Sequence, residues 1–263
     1  MTGAVRVVSA GLLDPAAALA LDEAVVRAEP VAPVLILWHT RPAVVIGRFQ
    51  RADWEVDGPA CAARGVQVWR RFTGGGAVYL DQGTLCAGIA VPAGHPHAAL
   101  GVPDLYAPFL DGIVAACRAL GADASRDERT VRIAGRKVTG VAAHRGRRAT
   151  LVHGTLLVDA DLDALVECLA GPRGGSLDGT PRPAESRPDT VANVGVAMDA
   201  ARAAVIAAFA GAGAPEEPPS DREREAAERL RRERYGDIRW HAGPWHDVTS
   251  GEVSAVLGED ARR

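Results

Sequence analysis

Apolar positions along this chain recur with two periods, and the segments they mark do not alternate regularly. Leu19, Leu21, Ala24 and Val25 give one apolar face to a helix over Ala16–Ala28, with Asp14 as its cap and Pro15 at its first position. Val34–Trp38 and Ala43–Gly47 are continuous apolar runs joined at Arg41-Pro42 and predict two strands. Ala52–Arg64 has helical ends interrupted at Gly58-Pro59, and Val66–Arg71 alternates as a strand should. Ala77–Leu80 and Leu85–Val91 predict the two arms of a hairpin around Asp81-Gln82-Gly83-Thr84. A loop over Pro92–Pro103 then leads into a helix over Tyr106–Leu120.

Strand pattern returns at Thr130–Ala134 and Arg136–Ala143, with Gly135 as a turn or bulge, and again at Thr150–Val158. Asp161–Ala170 predicts a short helix, and residues 171–190, rich in Gly, Pro, Ser and Asp, a loop that is either mobile or ordered on binding a ligand. Met198–Ala210 is a helix, Pro215–Pro219 a linker, and Asp221–Arg234 a helix with a charged, solvated face. Strands cluster in the middle of the chain, with helices before, between and after. That order predicts an α+β domain with a largely antiparallel sheet, not a doubly wound parallel one.

Composition narrows the function classes. The chain has 263 residues, 48% of them hydrophobic and 24% charged, enough to build one large core. A net charge of -3 gives no footprint for nucleic acid, and no apolar run approaches the ~20 residues of a membrane span. The N-terminus has no signal-peptide pattern, which predicts a cytoplasmic protein. The four cysteines (Cys61, Cys86, Cys117 and Cys168) contain no C-x-x-C pair, the seven histidines no H-E-x-x-H, and no metal-ligand cluster is expected. Twenty-nine of the thirty basic residues are arginine, and the single lysine is Lys137, in Gly135-Arg136-Lys137-Val138-Thr139-Gly140. An ammonium is compact and rotatable where a guanidinium is planar and broad, so a lone surviving lysine marks either a place that arginine does not fit or simply a leftover surface position.

Two further runs carry chemistry. In Arg70-Arg71-Phe72-Thr73-Gly74-Gly75-Gly76-Ala77-Val78, three glycines let the backbone approach a ligand and aim N–H groups at anionic oxygens. Arg70 and Arg71 are placed to neutralise an anion. The run matches neither standard phosphate-loop pattern, and a glycine run also serves as a plain turn. His153-Gly154-Thr155 offers a base or a hydrogen bond, or simply a core histidine. None of the cysteines stands out as a nucleophile.

In order over about residues 14–245, these segments resemble the lipoate–protein ligase A family, within the biotin/lipoate ligase and lipoyl(octanoyl)transferase group. Arg70–Asp81 is similar to the signature RRxxGGGAVxHD, Gly135–Gly140 to the motif bearing the family's lysine, and His153–Leu157 to the strand behind it. Ala20–Ala24 and Val44–Gln50 resemble the first helix and the following strand and turn. The resemblance implies a mixed, mainly antiparallel sheet flanked by helices, with a catalytic domain over 1–213 and a charged helical extension over 214–263. It implies that Lys137 is catalytic and contacts the carboxyl and phosphate of an acyl-adenylate. Arg71 and Gly75 would line the acyl pocket. Phe72, Gly74, Gly76, Ala77, Val78, Tyr79, Leu80 and Asp81 would lie along the nucleotide, and Arg48, Arg70, Gly140, His153, Gly154 and Thr155 would complete the substrate side.

The implied reaction joins lipoate or octanoate to a lysine of a lipoyl-domain protein, using ATP and Mg2+. Acceptors would be a 2-oxoacid dehydrogenase acyltransferase subunit or a glycine-cleavage carrier. The chain departs from the family pattern at Leu80, Thr84 and Val141–Ala143, and it stops soon after Trp245, which implies a separate accessory-domain chain. The rival expectations are an octanoyltransferase using a thiol, with Cys86 as its candidate, and a non-catalytic acyl- or adenylate-binding paralogue.

Overall fold

Hydrophobic alternation along the middle strands buries a sheet on both faces, and the helices fold onto those faces. The computed structural model describes residues 4–102, 104–169 and 189–243. The main sheet runs β10 (Thr139–Arg145), β11 (Ala149–Leu157), β6 (Thr84–Pro92), β2 (Val34–Thr40), β1 (Arg6–Leu13) and β12 (Glu216–Glu217). β1 is parallel to β2 and to β12, and the other neighbours are antiparallel. A second sheet, β4 (Gln67–Arg70), β3 (Ala43–Ile46) and β5 (Val78–Leu80), carries the glycine run between two of its strands. A third joins β7 (Ala124–Arg126), β8 (Val131–Ile133) and β9 (Arg136–Lys137). The architecture is mixed, mainly antiparallel α+β.

One face of the main sheet packs Leu35, Leu37, Ile89 and Val152 against Phe109 and Ile113 of α4 (Ala107–Ala119) and Val205 of α6 (Met198–Ala210). The other face packs Ile36, Trp38 and Leu151 against Leu19 and Val25 of α1 (Pro15–Arg27). Asp14 caps α1, accepting from the Ala17 N–H at 3.0 Å, with Pro15 at the start as the sequence suggests. Outside α1 lies α7 (Asp221–Leu230), closed by a Ser220/Glu223 capping box and continued by a wide turn over Arg231–Tyr235. The buried Tyr235 hydroxyl donates to Glu23 at 2.8 Å, and Arg27 and Arg234 donate to the same carboxylate at 2.8 and 2.5 Å. The described segment beyond 214, up to residue 243, is thereby fastened to the first helix.

Several expectations are corrected. Val78–Leu80 and Thr84–Pro92 do not form a hairpin with each other. Asp81 accepts from the Gly83 N–H, the Thr84 hydroxyl and the Asp161 N–H, and the turn sends its two arms into different sheets. Gly58-Pro59 opens α3 (Gly58–Ala63) instead of interrupting a helix, because Asp57 caps the Ala60 N–H; the break falls between α2 (Ala52–Glu55) and Asp57. β1 and β7 were not expected, and the Pro215–Pro219 linker contains the short edge strand β12. Helix α5 (Leu162–Cys168) starts at its Asp161 cap. The loop expected over 171–190 lies outside the described residues except for its last two, as does the tail after 243. Among the described residues no helix is long and apolar enough to cross a membrane.

Candidate functional site

The glycine run crosses the α1-side face of the main sheet, where β10, β11 and β6 present small side chains. Gly140 stands opposite Thr155, and Ala142 opposite His153, which itself faces Gly88 on β6. A Cβ on Gly75 would sit 3.2 Å from the Ala142 Cβ and 2.9 Å from Arg71 Nη2, and Gly75 has φ +90°, so glycine is required twice over. Gly47, at the end of β3, lies so close to the loop that a Cβ there would meet the Gly75 carbonyl oxygen at 2.0 Å. Gly47→Ala is therefore expected to cost about 1–3 kcal/mol of stability by forcing the two backbones apart. Gly94, with nothing near its Cβ position, is the neutral control for the same urea denaturation.

Arg71 is the organiser of the loop. Its guanidinium is buried and donates to the carbonyls of Val45 at 3.2 Å, Gly74 at 2.6 Å and Gly76 at 2.9 Å, and to the Thr73 hydroxyl at 2.9 Å. Among the described residues no carboxylate touches it, and burial lowers its pKa to about 10. In a trans peptide the C=O and the following N–H point in opposite directions, so the N–H groups of Gly75 and Ala77 aim away from the guanidinium. Beyond Thr73 the bonding continues to His153 Nε2 at 2.8 Å, from His153 Nδ1 to Asp22 at 3.1 Å, and from Trp38 Nε1 to Asp22 at 2.8 Å.

Lys137 stands on β9, directly across from Arg132 on β8. Its backbone is clamped by the Thr190 carbonyl at 2.8 Å and the Ala192 N–H at 3.0 Å. The half-buried ammonium has no hydrogen-bond partner among the described residues, and burial lowers its pKa while the Asp189 carboxylate acts in the opposite sense. Asp189 grips Arg132 with both oxygens, at 3.0 and 2.7 Å.

The structure separates the expected site residues into two groups. Arg71, Gly74, Gly75, Gly76, His153, Gly140 and Thr155 converge on the loop and the sheet face beneath it, with Val78 beside Gly140. Arg48 joins them through its N–H, which donates to the Thr73 carbonyl at 2.8 Å, while its guanidinium lies over the exposed Phe49 ring. Ala77 follows the loop, and Phe72 is buried with its ring 5.0 Å from that of His144.

The other group turns elsewhere. Arg70 is 1% exposed and spends its guanidinium on backbone carbonyls, so it meets no substrate anion. Tyr79 and Leu80 pack into two different hydrophobic clusters, and the Asp81 carboxylate fastens its own turn. Gly154 faces the opposite side of the sheet, where a Cβ would lie 3.0 Å from Phe109. Sequence reasoning missed Asp22, Thr73, Gly47 and Ala142; the available signal was an acidic pair, Asp22-Glu23, inside a helix buried from Ala18 to Val26.

All four thiols are buried. Burial raises the pKa of each, that of Cys117 to about 11, and Asp22 and Asp81 push Cys86 higher still. Cys86 sits beside Thr155 on the site face of the sheet, but as a protonated core residue it is a poor nucleophile.

Comparison with known proteins agrees with this fold and gives its family. A family model described as the lipoyl protein ligase A/B catalytic domain matches residues 14–210. Lipoate-protein ligase A subunit 1 of Thermoplasma acidophilum is 30% identical, covering 86% of this chain and 91% of its own. Octanoyltransferase LipM of Kyrpidia tusciae is 33% identical, covering 81% and 89%. A crystal structure of lipoate-protein ligase A bound with ATP superposes with TM-score 0.76 at 27% identity, over 92% of this chain and 99% of that one. The bi-partite lipoate protein ligase of Thermoplasma acidophilum, analysed with its E2 lipoyl domain, gives TM-score 0.77 at 26% identity, over 94% and 99%. This chain belongs to the lipoyl protein ligase A/B family.

Proposed function

We propose that the protein activates lipoate or octanoate with MgATP to an acyl-adenylate and transfers the acyl group to a lysine of a lipoyl-domain protein. The observation that carries this reading is Lys137, a desolvated ammonium without a hydrogen-bond partner among the described residues. A buried cation in that condition favours an incoming anion and stabilises negative charge that develops beside it. In the first half-reaction a carboxylate oxygen attacks the α-phosphorus of ATP and pyrophosphate leaves. In the second, the acceptor amine attacks the acyl carbonyl and AMP leaves. Neither step needs a nucleophile from the enzyme, which suits four buried thiols.

Each part of the site has a task in this scheme. Lys137 would hold the carboxylate and α-phosphate together, and the Gly75 N–H, turned away from Arg71, would receive a phosphate oxygen. Gly140 and Ala142 give the strand beneath the loop small side chains, the side on which an apolar chain would lie. Magnesium bound with ATP supplies charge neutralisation and keeps mostly water and phosphate ligands, so one or two carboxylates suffice. Among the described residues the nearby carboxylates are already engaged, Asp189 by Arg132 through both oxygens and Asp127 by the Arg129 and Thr130 N–H groups, so they do not fit as magnesium ligands.

The kinship to an octanoyltransferase supports a second reading, in which the acyl group arrives on a carrier thioester. Intact-mass analysis of a lipoyl domain decides between them. One arm supplies lipoate and MgATP, the other octanoyl acyl carrier protein without ATP. A mass shift only with ATP is expected, and it should survive Cys86→Ser. A shift only with the thioester, lost in Cys86→Ser, would overturn the ligase reading. Acyl-AMP without a mass shift would place the transfer step on a separate accessory chain.

A further inference from the structure

We propose that Asp22, His153 and Thr73 form a hydrogen-bonded relay that positions the glycine loop through Arg71, making all three positioning residues for acyl-adenylate formation. The proposal rests on the ligase reading for its kinetic consequence, but its structural part stands on geometry alone. The Thr73 hydroxyl receives the Arg71 Nε–H at 2.9 Å and lies 2.8 Å from His153 Nε2. A hydroxyl has one proton and two lone pairs; Arg71 takes one lone pair, and because Thr73 Oγ1 has no other partner among the described residues, its buried proton is satisfied only by donation to Nε2. Neutral His153 then carries its proton on Nδ1 and donates it to Asp22 at 3.1 Å. The second Asp22 oxygen accepts from Trp38 Nε1 at 2.8 Å, which fixes the carboxylate from the far side. Every donor in the chain from Arg71 to Asp22 thus has one acceptor.

The order of groups is that of an acid–base–hydroxyl triad, but its chemistry differs. Thr73 is 1% exposed, and an arginine donating to its oxygen withdraws electron density from the atom a nucleophile would use. What the relay does instead is connect two buried charges. Arg71 is 5% exposed and bonds only to neutral oxygens, and Asp22 is 3% exposed and receives only neutral donors. Thr73 and His153 bridge them with dipoles aligned from the cation to the anion, an arrangement that satisfies both buried charges and holds one rotamer of each side chain. Because the same guanidinium holds the Gly74 and Gly76 carbonyls, fixing Arg71 fixes the direction of the loop N–H groups. Asp22 on α1 and His153 on β11 therefore reach the loop without touching a ligand.

Thr73→Val keeps the shape and removes the hydroxyl, whereas Thr73→Ser keeps the hydroxyl. In Thr73→Val, amide hydrogen exchange over Gly74–Gly76 should accelerate, and kcat/KM for acyl-AMP formation should fall about 10–100-fold, as expected of a misplaced reacting group. KM for the lipoyl domain should stay unchanged, and Thr73→Ser should recover most of the loss. Native loop exchange and native kcat/KM in folded Thr73→Val, or an equal loss in Thr73→Ser, would overturn the proposal. If Thr73→Val does not fold, the wild-type protein still decides the matter. Long-range 1H–15N correlation should show His153 protonated on Nδ1, and a proton on Nε2 alone would remove the relay. Should the wild type form no acyl-AMP at all, the ligase reading fails, while the exchange and tautomer measurements still test the relay independently.

Discussion

Lys137→Ala is expected to lower kcat/KM for acyl-adenylate formation by about 10²–10³-fold, the loss seen when one preorganised donor at a developing charge is removed. The fold should survive, because the ammonium is half-buried and its removal strands no hydrogen-bond partner among the described residues. Lys137→Arg should fail almost as badly. A guanidinium is wider, delocalises its charge and cannot rotate three donors about one nitrogen, so it does not replace a point cation between a carboxylate and a phosphate. Pyrophosphate exchange and circular dichroism together check both halves, and a folded Lys137→Arg with full activity would sink the assignment. The pH profile adds a sign. Burial lowers the Lys137 pKa, so the ammonium is lost, and the alkaline limb falls, at lower pH than for a free lysine. Asp189→Asn removes the carboxylate that opposes this shift and should move the limb lower still.

The signals that sequence carried well were local. The cap at Asp14, the apolar runs of β2 and β3, and the helical spacing of α4 and α6 depend on neighbours within a few residues, and the structure has each of these elements. The family resemblance was legible for the same reason, since the signature run that carries it consists of adjacent residues. Pairing was not local. The Asp81–Thr84 turn has the composition of a hairpin turn, yet the Asp81 carboxylate also binds the Asp161 N–H, eighty positions along the chain, and the arms part. Two consecutive arginines looked alike in sequence. They alternate across a strand end, so Arg71 turns to the glycine loop and Arg70 to carbonyls near position 241, a partner no local pattern announces. Asp22 was hidden in the same way, because its role depends on Trp38 and His153 from two different strands.

Arg70→Met is expected to destabilise the protein by roughly 4–5 kcal/mol, the range reached when a buried charged hub is removed and its partners stay behind. The guanidinium joins the carbonyls of Gly47, Arg48 and Gln50 to those of Trp240, His241 and Ala242, at 2.6 to 3.2 Å. The last three end the short helix α8 (Ile238–Ala242), whose C-terminal carbonyls supply the negative potential that a buried cation needs. Lysine has three donors on one atom and cannot reach both groups, so Arg70→Lys should fall between Met and wild type. His241 completes the joint. Its Nδ1 accepts the Arg70 N–H at 3.0 Å, and its Nε2–H donates to the Tyr235 carbonyl at 2.9 Å, which requires the neutral ring. Burial lowers its pKa from 6.5 to about 4. Between those values the unfolded chain binds the proton and the folded chain does not, so stability is complete above the unfolded value and drains away as pH falls. The shift of 6.5 to about 4 amounts to about 3 kcal/mol. Urea unfolding at pH 7 and pH 4.5 should show that loss in the wild type and a much shallower one in His241→Gln. Hydrogen exchange should find 238–242 opening first in Arg70→Met, with faster exchange spreading to Gly47, the residue that touches the glycine loop. If 238–242 stayed protected in Arg70→Met, the arginine would not be what binds that short helix to the segment at Gly47.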